Sequence, residues 1–211
     1  MKRLAILGAS GHGKVVADTA ECCGWQVIEF FDDAWPVLQH NGPWPVIGDT
    51  TALHESLDVF DGVVVAIGNN AIRYGKLLEL EAAGACICSL VHPAATVSRY
   101  AMLERGTLVF AQAVINADVR IGLGSILNTG CSVDHDCVLG AAVHISPGAR
   151  LAGGVIVGDL SWVGIGASVR QLVRVGSQVV VGAGAAVTTD VADALTVVGV
   201  PARALVNKHT S

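Results

Sequence analysis

Every sixth residue from Val91 to Val187 is aliphatic, running Val91, Val97, Leu103, Val109, Ile115, Ile121 and onward through Leu127, Val133, Leu139, Ile145, Leu151 and Val157 to Val187. Four residues after each comes Ala, Thr, Val, Ser or Cys, as at Ala95, Thr107, Ser125, Cys137 and Ala185. Gly often follows the aliphatic residue directly, as at Gly122, Gly140, Gly158 and Gly164. A period of six matches neither a helix nor a flat amphipathic strand, but it suits a solenoid of short strands joined by turns. One aliphatic side chain per hexad then points inward, with a small residue inward beside it where the chain bends. Stacked coils join these into an apolar column, each large side chain contributing about 1.5 to 3 kcal/mol on burial. The glycines are expected to relieve backbone strain at the corners.

The first ninety residues carry no such repeat. Leu4 to Leu7 reads as a strand, Gly8-Ala9-Ser10-Gly11-His12-Gly13 as a turn, and Lys14 to Cys23 as a helix, which is an arrangement that can cradle phosphate. Gly8, Gly13 and Lys14 satisfy the spacing of a P-loop, yet Val15 stands where Ser or Thr would hold Mg²⁺. The glycine order also departs from the dinucleotide fingerprint. A second strand, Val27 to Phe31, ends in Asp32-Asp33, and a third, Gly62 to Ile67, ends in Gly68-Asn69-Asn70 before a helix from Ala71 to Ala83. Ligands of open α/β sheets lie at the carboxyl ends of the strands, so Ser10, Gly11, His12, Asp32, Asp33 and Gly68 are candidates for one nucleotide site. The plainer reading makes Gly68-Asn69 a helix cap and Asp32-Asp33 a solvated turn.

With 52% hydrophobic residues and 15% charged, the chain is apolar enough to raise a membrane protein. Gly, Asp, Asn or His interrupts every apolar run before the roughly 18 residues that a spanning helix needs. The start MKRLAILGAS is too short in its apolar part for a signal peptide and reads as the first strand. Six cysteines, Cys22, Cys23, Cys86, Cys88, Cys131 and Cys137, form no CxxC pair, which fits a reducing, cytoplasmic setting. Cys86, Cys88, Cys131 and Cys137 are expected to be small core residues. A formal net charge of −5 argues against nucleic acid as a partner.

The hexads, with their aliphatic first and small fifth residues, resemble the hexapeptide-repeat acyltransferases, and Gly199-Val200-Pro201-Ala202-Arg203 is similar to that family's ending. The resemblance implies a left-handed parallel β-helix with three hexads per coil over 91–211, after a Rossmann-like βαβ domain over 1–90. With the GASGHGK turn, the Asp pair and AIGNN ahead of the repeat, the chain resembles the branch of UDP-4-amino-sugar N-acetyltransferases of bacterial glycan and bacillosamine biosynthesis. The sialic acid O-acetyltransferases are close relatives of that branch. The resemblance implies acetyl-CoA as co-substrate, a UDP-linked amino sugar bound by Ser10-Gly11-His12, Asp32-Asp33 and Gly68, no metal, and a homotrimer with sites at the subunit seams. Transfer to a sugar hydroxyl, and a zinc hydratase of the γ-carbonic-anhydrase kind, are the competing activities.

Acetylating an amine takes a base for the departing proton and donors for the tetrahedral oxyanion. Among the histidines, which include His40, His54, His92 and His209, His135 is the third residue of a hexad, where the side chain points outward between two carboxylates. The related family carries its base in the same N-T-x-x-x-x-[D/E]-H context, which implies His135 as base and Asn128 as a positioning residue near the sugar. Asp134 is the expected orienting acid, with Asp136 as the rival. His144, Ile165 and Ala183 match family contacts to acetyl-CoA. Gly153 lies eighteen residues after His135, one coil on, and its amide is the candidate oxyanion donor.

Overall fold

A computed structural model describes residues 1–205; His209 lies outside them. In the first half, β1 (Arg3–Leu7) leads through Gly8-Ala9-Ser10 into α1 (Gly11–Cys22), followed by β2 (Val27–Phe31), β3 (His40–Asn41), β4 (Trp44–Gly48), α2 (Thr50–Glu55), β5 (Gly62–Val65) and α3 (Asn70–Ala82). The sheet runs β3-β4-β2-β1-β5 and is parallel except for the β3–β4 hairpin. Between β2 and β5, β1 is buried on both faces, as parallel strands are. Leu4 and Ile6 pack towards α1, while Ala5 and Leu7 pack towards Leu53 of α2 and Leu77 of α3. The helix α1 begins at Gly11, three residues before the expected Lys14. Gly13 makes this possible, because a Cβ there would collide with the Gly8 carbonyl and stand 3.0 Å from Phe30 Cε1, so the first helical turn lies directly on the sheet. Both β3–β4 and α2 went unpredicted, since their apolar runs are short and interrupted.

From Leu90 onward the chain is a three-faced parallel β-helix of two-residue strands. Up to Val187 each strand pairs with the one eighteen residues on, as Ile126 with His144, Val114 with Ser132 and Arg120 with Val138, and the last coil is shorter, with Val180 opposite Thr196. Three hexads therefore make one coil. The aliphatic residues and their small companions form a single column, with Leu127, Val133, Ile145, Val163, Cys131 and Cys137 all fully buried. Where the small residue carries a hydroxyl, the corner satisfies it. Ser125 Oγ donates to the Gly140 carbonyl at 3.1 Å and accepts from Val143 N–H at 3.2 Å, and Ser161 repeats the pattern two coils further on with Gly176 and Val179.

The hexad glycines have a different task from the one expected. At Gly122 and Gly164 the backbone φ is not in the left-handed region, but an added Cβ would sit 2.6 Å from the Gly140 carbonyl carbon and 2.6 Å from the Val181 oxygen respectively. Their absent side chain lets one coil lie on the next. The left-handed corner positions come later in the hexad and are filled by non-glycine residues as well, including Asp136 (φ 60°), Ala142 (φ 51°) and Gln178 (φ 57°).

Of the cysteines, Cys131 and Cys137 are core residues as expected, whereas Cys86 is exposed; all six are unpaired. Burial pushes the Cys131 thiol up to about 12, so it remains neutral and unreactive. Among the described residues no helix is long and apolar enough to cross a membrane.

Candidate active site

The site arises where one face of the β-helix loses its cover. Along that face the outward residues are Leu90, Leu108, Ile126, His144, Trp162 and Val180, stacked in register. The first three are fully buried and share a core with Val16 and Ala20 of α1 and Phe30 of β2. At His144 the N-terminal half ends its coverage, and Trp162 and Val180 are 38% and 42% exposed. The step leaves a cleft of about 600 Å³ between the halves, lined by His12 and Gly68 on one side and Asn128, His144, Trp162 and Ile165 on the other, with Ala183 further along.

His144 is tightly placed within it. Its ring stacks on Trp162 at 4.8 Å with an interplanar angle of 19°, and the indole Nε1 donates to Ser146 Oγ at 2.6 Å. Thr129 N–H donates to Asn128 Oδ1 at 2.8 Å, which turns the amide nitrogen of Asn128 towards His144 Nε2, 3.2 Å away. That nitrogen therefore accepts, and in the neutral ring the proton resides on Nδ1. Burial first, then the Arg73 guanidinium and His12, push His144 down to about 3, so the ring is neutral at pH 7. His12 is likewise pushed down to about 4, by burial and then by Arg73. His144 Nδ1 and His12 Nε2 are both buried with no partner among the described residues, and the ring centroids are 6.3 Å apart. Both rings line the cleft, so the two orphaned nitrogens lie beside it.

The nucleotide-type loops meet at the carboxyl edge of the sheet, where β1 lies between β2 and β5. Ser10 caps α1 without a side-chain hydrogen bond, leaving its hydroxyl free beside the helix N-terminus. Asp32 uses one carboxylate oxygen on Ala9 N–H at 2.7 Å and the other on Ala34 N–H at 3.0 Å, and Asp33 accepts from Thr50 N–H at 3.0 Å. Both acids thus hold loops together and are more than a solvated turn, and each oxygen retains a lone pair. Asn69 caps α3 through Ile72 N–H, while its neighbour Gly68 lines the cleft.

His135 occupies a different corner of the prism and is not among the cleft-lining residues. Its side chain is 62% exposed. The carboxylate on the His135 ring is that of Asp136 and not the expected Asp134, a correction in geometry: Asp136 Oδ2 lies 2.7 Å from His135 Nδ1. Asp136 is at the left-handed corner position, whereas Asp134 accepts from the His135 backbone N–H at 2.8 Å and from Asn116 Nδ2 at 2.9 Å. The hydrogen bond to Asp136, followed by the charge of Asp134, raises the His135 pKa above its ordinary value. With Nδ1 engaged by a carboxylate, Nε2 is the free basic nitrogen. Gly153 lies one coil on, where a Cβ would come within 2.6 Å of the imidazole Cε1 and 2.7 Å of Nε2. The predicted grouping thus divides into two clusters: His12, Gly68, Asn128, His144, Ile165 and Ala183 around the cleft, and His135, Asp134 and Gly153 at the other corner.

Known proteins carry the same combination of halves. Residues 3–77 match the PglD N-terminal domain family. The acetyltransferase domain of PglB from Neisseria gonorrhoeae FA1090, solved in complex with acetyl coenzyme A, is 45% identical over 97% of this chain and 99% of that one, with a TM-score of 0.93. The chain belongs to the PglD-type acetyltransferases. A histidine variant of perosamine N-acetyltransferase from Caulobacter crescentus, in complex with CoA and GDP-perosamine, is a further member at 38% identity, with 98% of each chain covered and a TM-score of 0.94. The UDP-N-acetylbacillosamine N-acetyltransferase of Bacillus subtilis (strain 168) is 36% identical over 114 residues, which span 53% of this chain and about half, 52%, of that protein.

As in other PglD-type chains, a Rossmann-like half precedes a hexapeptide-repeat β-helix. Three residues of this member's site were missed from sequence. Trp162 was findable, since it lies eighteen residues beyond His144 and must stack on it. Asn116 holds the same relation to Asp134. Arg73 follows Asn70 and precedes Leu77 and Leu80 on the buried stripe of α3, so a charged residue on an apolar face was its signal. Among the described residues no three His, Cys, Asp or Glu side chains converge as a metal site.

Proposed function

We propose that the chain transfers the acetyl group of acetyl-CoA to the amino group, at C4, of a UDP-linked amino sugar in bacterial surface glycan biosynthesis. The observation that carries this reading is the cleft itself, where His12 and Gly68 of the nucleotide-type half face Asn128, His144 and Ile165 of the β-helix. The region 1–90 would hold the sugar nucleotide through Ser10, Gly11, His12, Asp32, Asp33 and Gly68. The region 91–211 would hold acetyl-CoA through His144, Ile165 and Ala183, with the His144 Nδ1 proton donated to an acceptor near the acyl end.

His135 is the base of this proposal. Nε2 takes a proton from the sugar amine as the nitrogen attacks the thioester carbonyl, the Gly153 amide steadies the oxyanion, and collapse of the tetrahedral intermediate expels CoA as thiolate. The imidazolium, held by Asp136, then returns the proton to the thiolate or to solvent. Because His135 and the cleft occupy different corners of one prism, the base must reach the cleft of another copy. A closed homotrimer meets this need, each seam joining one chain's His135 to its neighbour's cleft. Six unpaired thiols fit the cytoplasm as the setting.

The test incubates the protein with acetyl-CoA and a panel of UDP-, GDP-, CMP- and dTDP-amino sugars, following thiol release and product mass. A UDP-amino sugar should gain one acetyl group, and His135→Ala should lower the rate by about 10² to 10⁴. Acetylation at wild-type rate by His135→Ala, or no product from any amino sugar, would overturn the reading.

A further inference from the structure

The least expected side chain in the molecule is Arg73, which is fully buried between the two halves. No carboxylate pairs with it among the described residues. Its guanidinium instead spends all five N–H groups on uncharged oxygens. Nε donates to the Gly124 carbonyl at 2.8 Å; Nη1 donates to Ile67 and Gly68 carbonyls at 2.9 and 3.2 Å; Nη2 donates to the Asn70 side chain and to the Ala142 carbonyl, both at 2.8 Å. Asn70 Nδ2 continues the line to the Leu160 and Ser161 carbonyls at 2.9 and 3.1 Å. Gly124, Ala142 and Leu160 are spaced by eighteen, so this first turn of α3 reads the same corner of three consecutive coils.

Burying a cation without a counter-ion is costly, and an apolar residue would complete the Leu77–Leu80 stripe at less expense in desolvation. The planar fork of arginine supplies what a hydrophobe or a lysine lacks, five donors in fixed directions. We propose that Arg73 is the positioning residue of the cleft: its guanidinium fastens the Gly68 loop and the start of α3 to two successive coils, and so sets the nucleotide-side residues opposite Asn128 and His144. The same cation lies near both cleft histidines and disfavours their protonation, His12 adding its own charge to His144 if it ionises.

For its rate measurements this inference rests on the acetyl-transfer reading; two further readouts do not. Full-length Arg73→Lys and Arg73→Met are compared with the natural chain by CoA affinity, by kcat and KM, by hydrogen exchange of the 67–70 loop, and by NMR titration of His12 and His144. Arg73→Lys, which keeps the charge and loses the fork, should bind CoA as the natural chain does. It should lose about 10²-fold in kcat/KM for the sugar nucleotide, the scale of a small misplacement. Its 67–70 loop should exchange faster, and His12 should titrate as in the natural chain, since the charge is kept. In Arg73→Met both rings should titrate at higher pH; if that variant does not fold, Arg73→Lys decides alone. Natural kcat/KM and unchanged loop exchange in Arg73→Lys would overturn the proposal, as would CoA affinity falling in step with rate, the mark of a general loosening. A natural chain that binds CoA yet transfers nothing would sink the acetyl-transfer reading while loop exchange and the titrations still judge Arg73.

Discussion

The imidazole of His135 depends on a neighbour in sequence as much as on the fold. Asp136 has the left-handed conformation that an aspartate tolerates better than most side chains, and from there its carboxylate meets Nδ1. An imidazole so held is protonated up to a higher pH than free histidine, and with His135 as the proposed base kcat/KM should climb with pH through a value above 6.5. Replacing Asp136 with Asn removes the first cause of the raised pKa, and the acidic limb of the pH–rate profile should move to lower pH as the rate falls. Asp134→Asn should move the limb less, since Asp134 acts at a distance and its oxygen is engaged by backbone and Asn116. A profile that shifts upward in Asp136→Asn would refute the pairing. The residue pair shows how far sequence reading reaches. Two acids flanking an outward histidine were legible; which one turns onto the ring is decided by the corner geometry, and that is invisible in a string of residue types.

At the scale of the element, the hexad is specified by two separate steric demands that sequence alone merges. Gly122 answers to the coil stacked on it, and Gly122→Ala should cost about 1 to 3 kcal/mol, the usual range for overpacking. Gln178 answers to a left-handed backbone, and Gln178→Gly should instead stabilise by about 1 kcal/mol, offset in part by unfolded-state entropy. Thermal melts of the two variants should therefore move in opposite directions; destabilisation of both would mean that the left-handed backbone at Gln178 holds no strain for glycine to relieve. The period of six identified a solenoid because it fits neither a helix nor a flat strand, and the resemblance supplied its form as a three-sided β-helix. The three-residue error at the start of α1 has the opposite origin. Gly11 and Gly13 look like turn residues, and only the contact with the sheet shows that Gly13 is there for close packing.

In the whole molecule, the halves are joined by an apolar seam around Phe110 and Ile126 and by the polar latch of Arg73, and the cleft is what remains beyond them. This junction makes stability sensitive to acid. His12 and His144 are neutral in the fold with pKa values of about 4 and about 3, against 6.5 when unfolded. The unfolded chain binds more protons in that interval, so stability is full above pH 6.5 and declines as pH falls towards 4 and 3. A melting temperature that begins to drop near pH 6.5, and a flatter profile in His144→Gln, are the expected results; a flat profile down to pH 4 would show that the rings protonate freely. The junction was the part least legible beforehand, since neither half's periodicity encodes how it sits on the other.

The central claim, that one chain's His135 serves another chain's cleft, is tested most directly by mixing two defective proteins. His135→Ala keeps an intact cleft, and Asn128→Ala keeps an intact base. Co-expressed in equal amounts, they should form mixed trimers in which a seam between the intact surfaces works again. Random assembly in a closed ring should recover about one quarter of the natural rate, far above either parent. Activity no greater than the sum of the two parents, in assemblies shown to be mixed, would contradict the account.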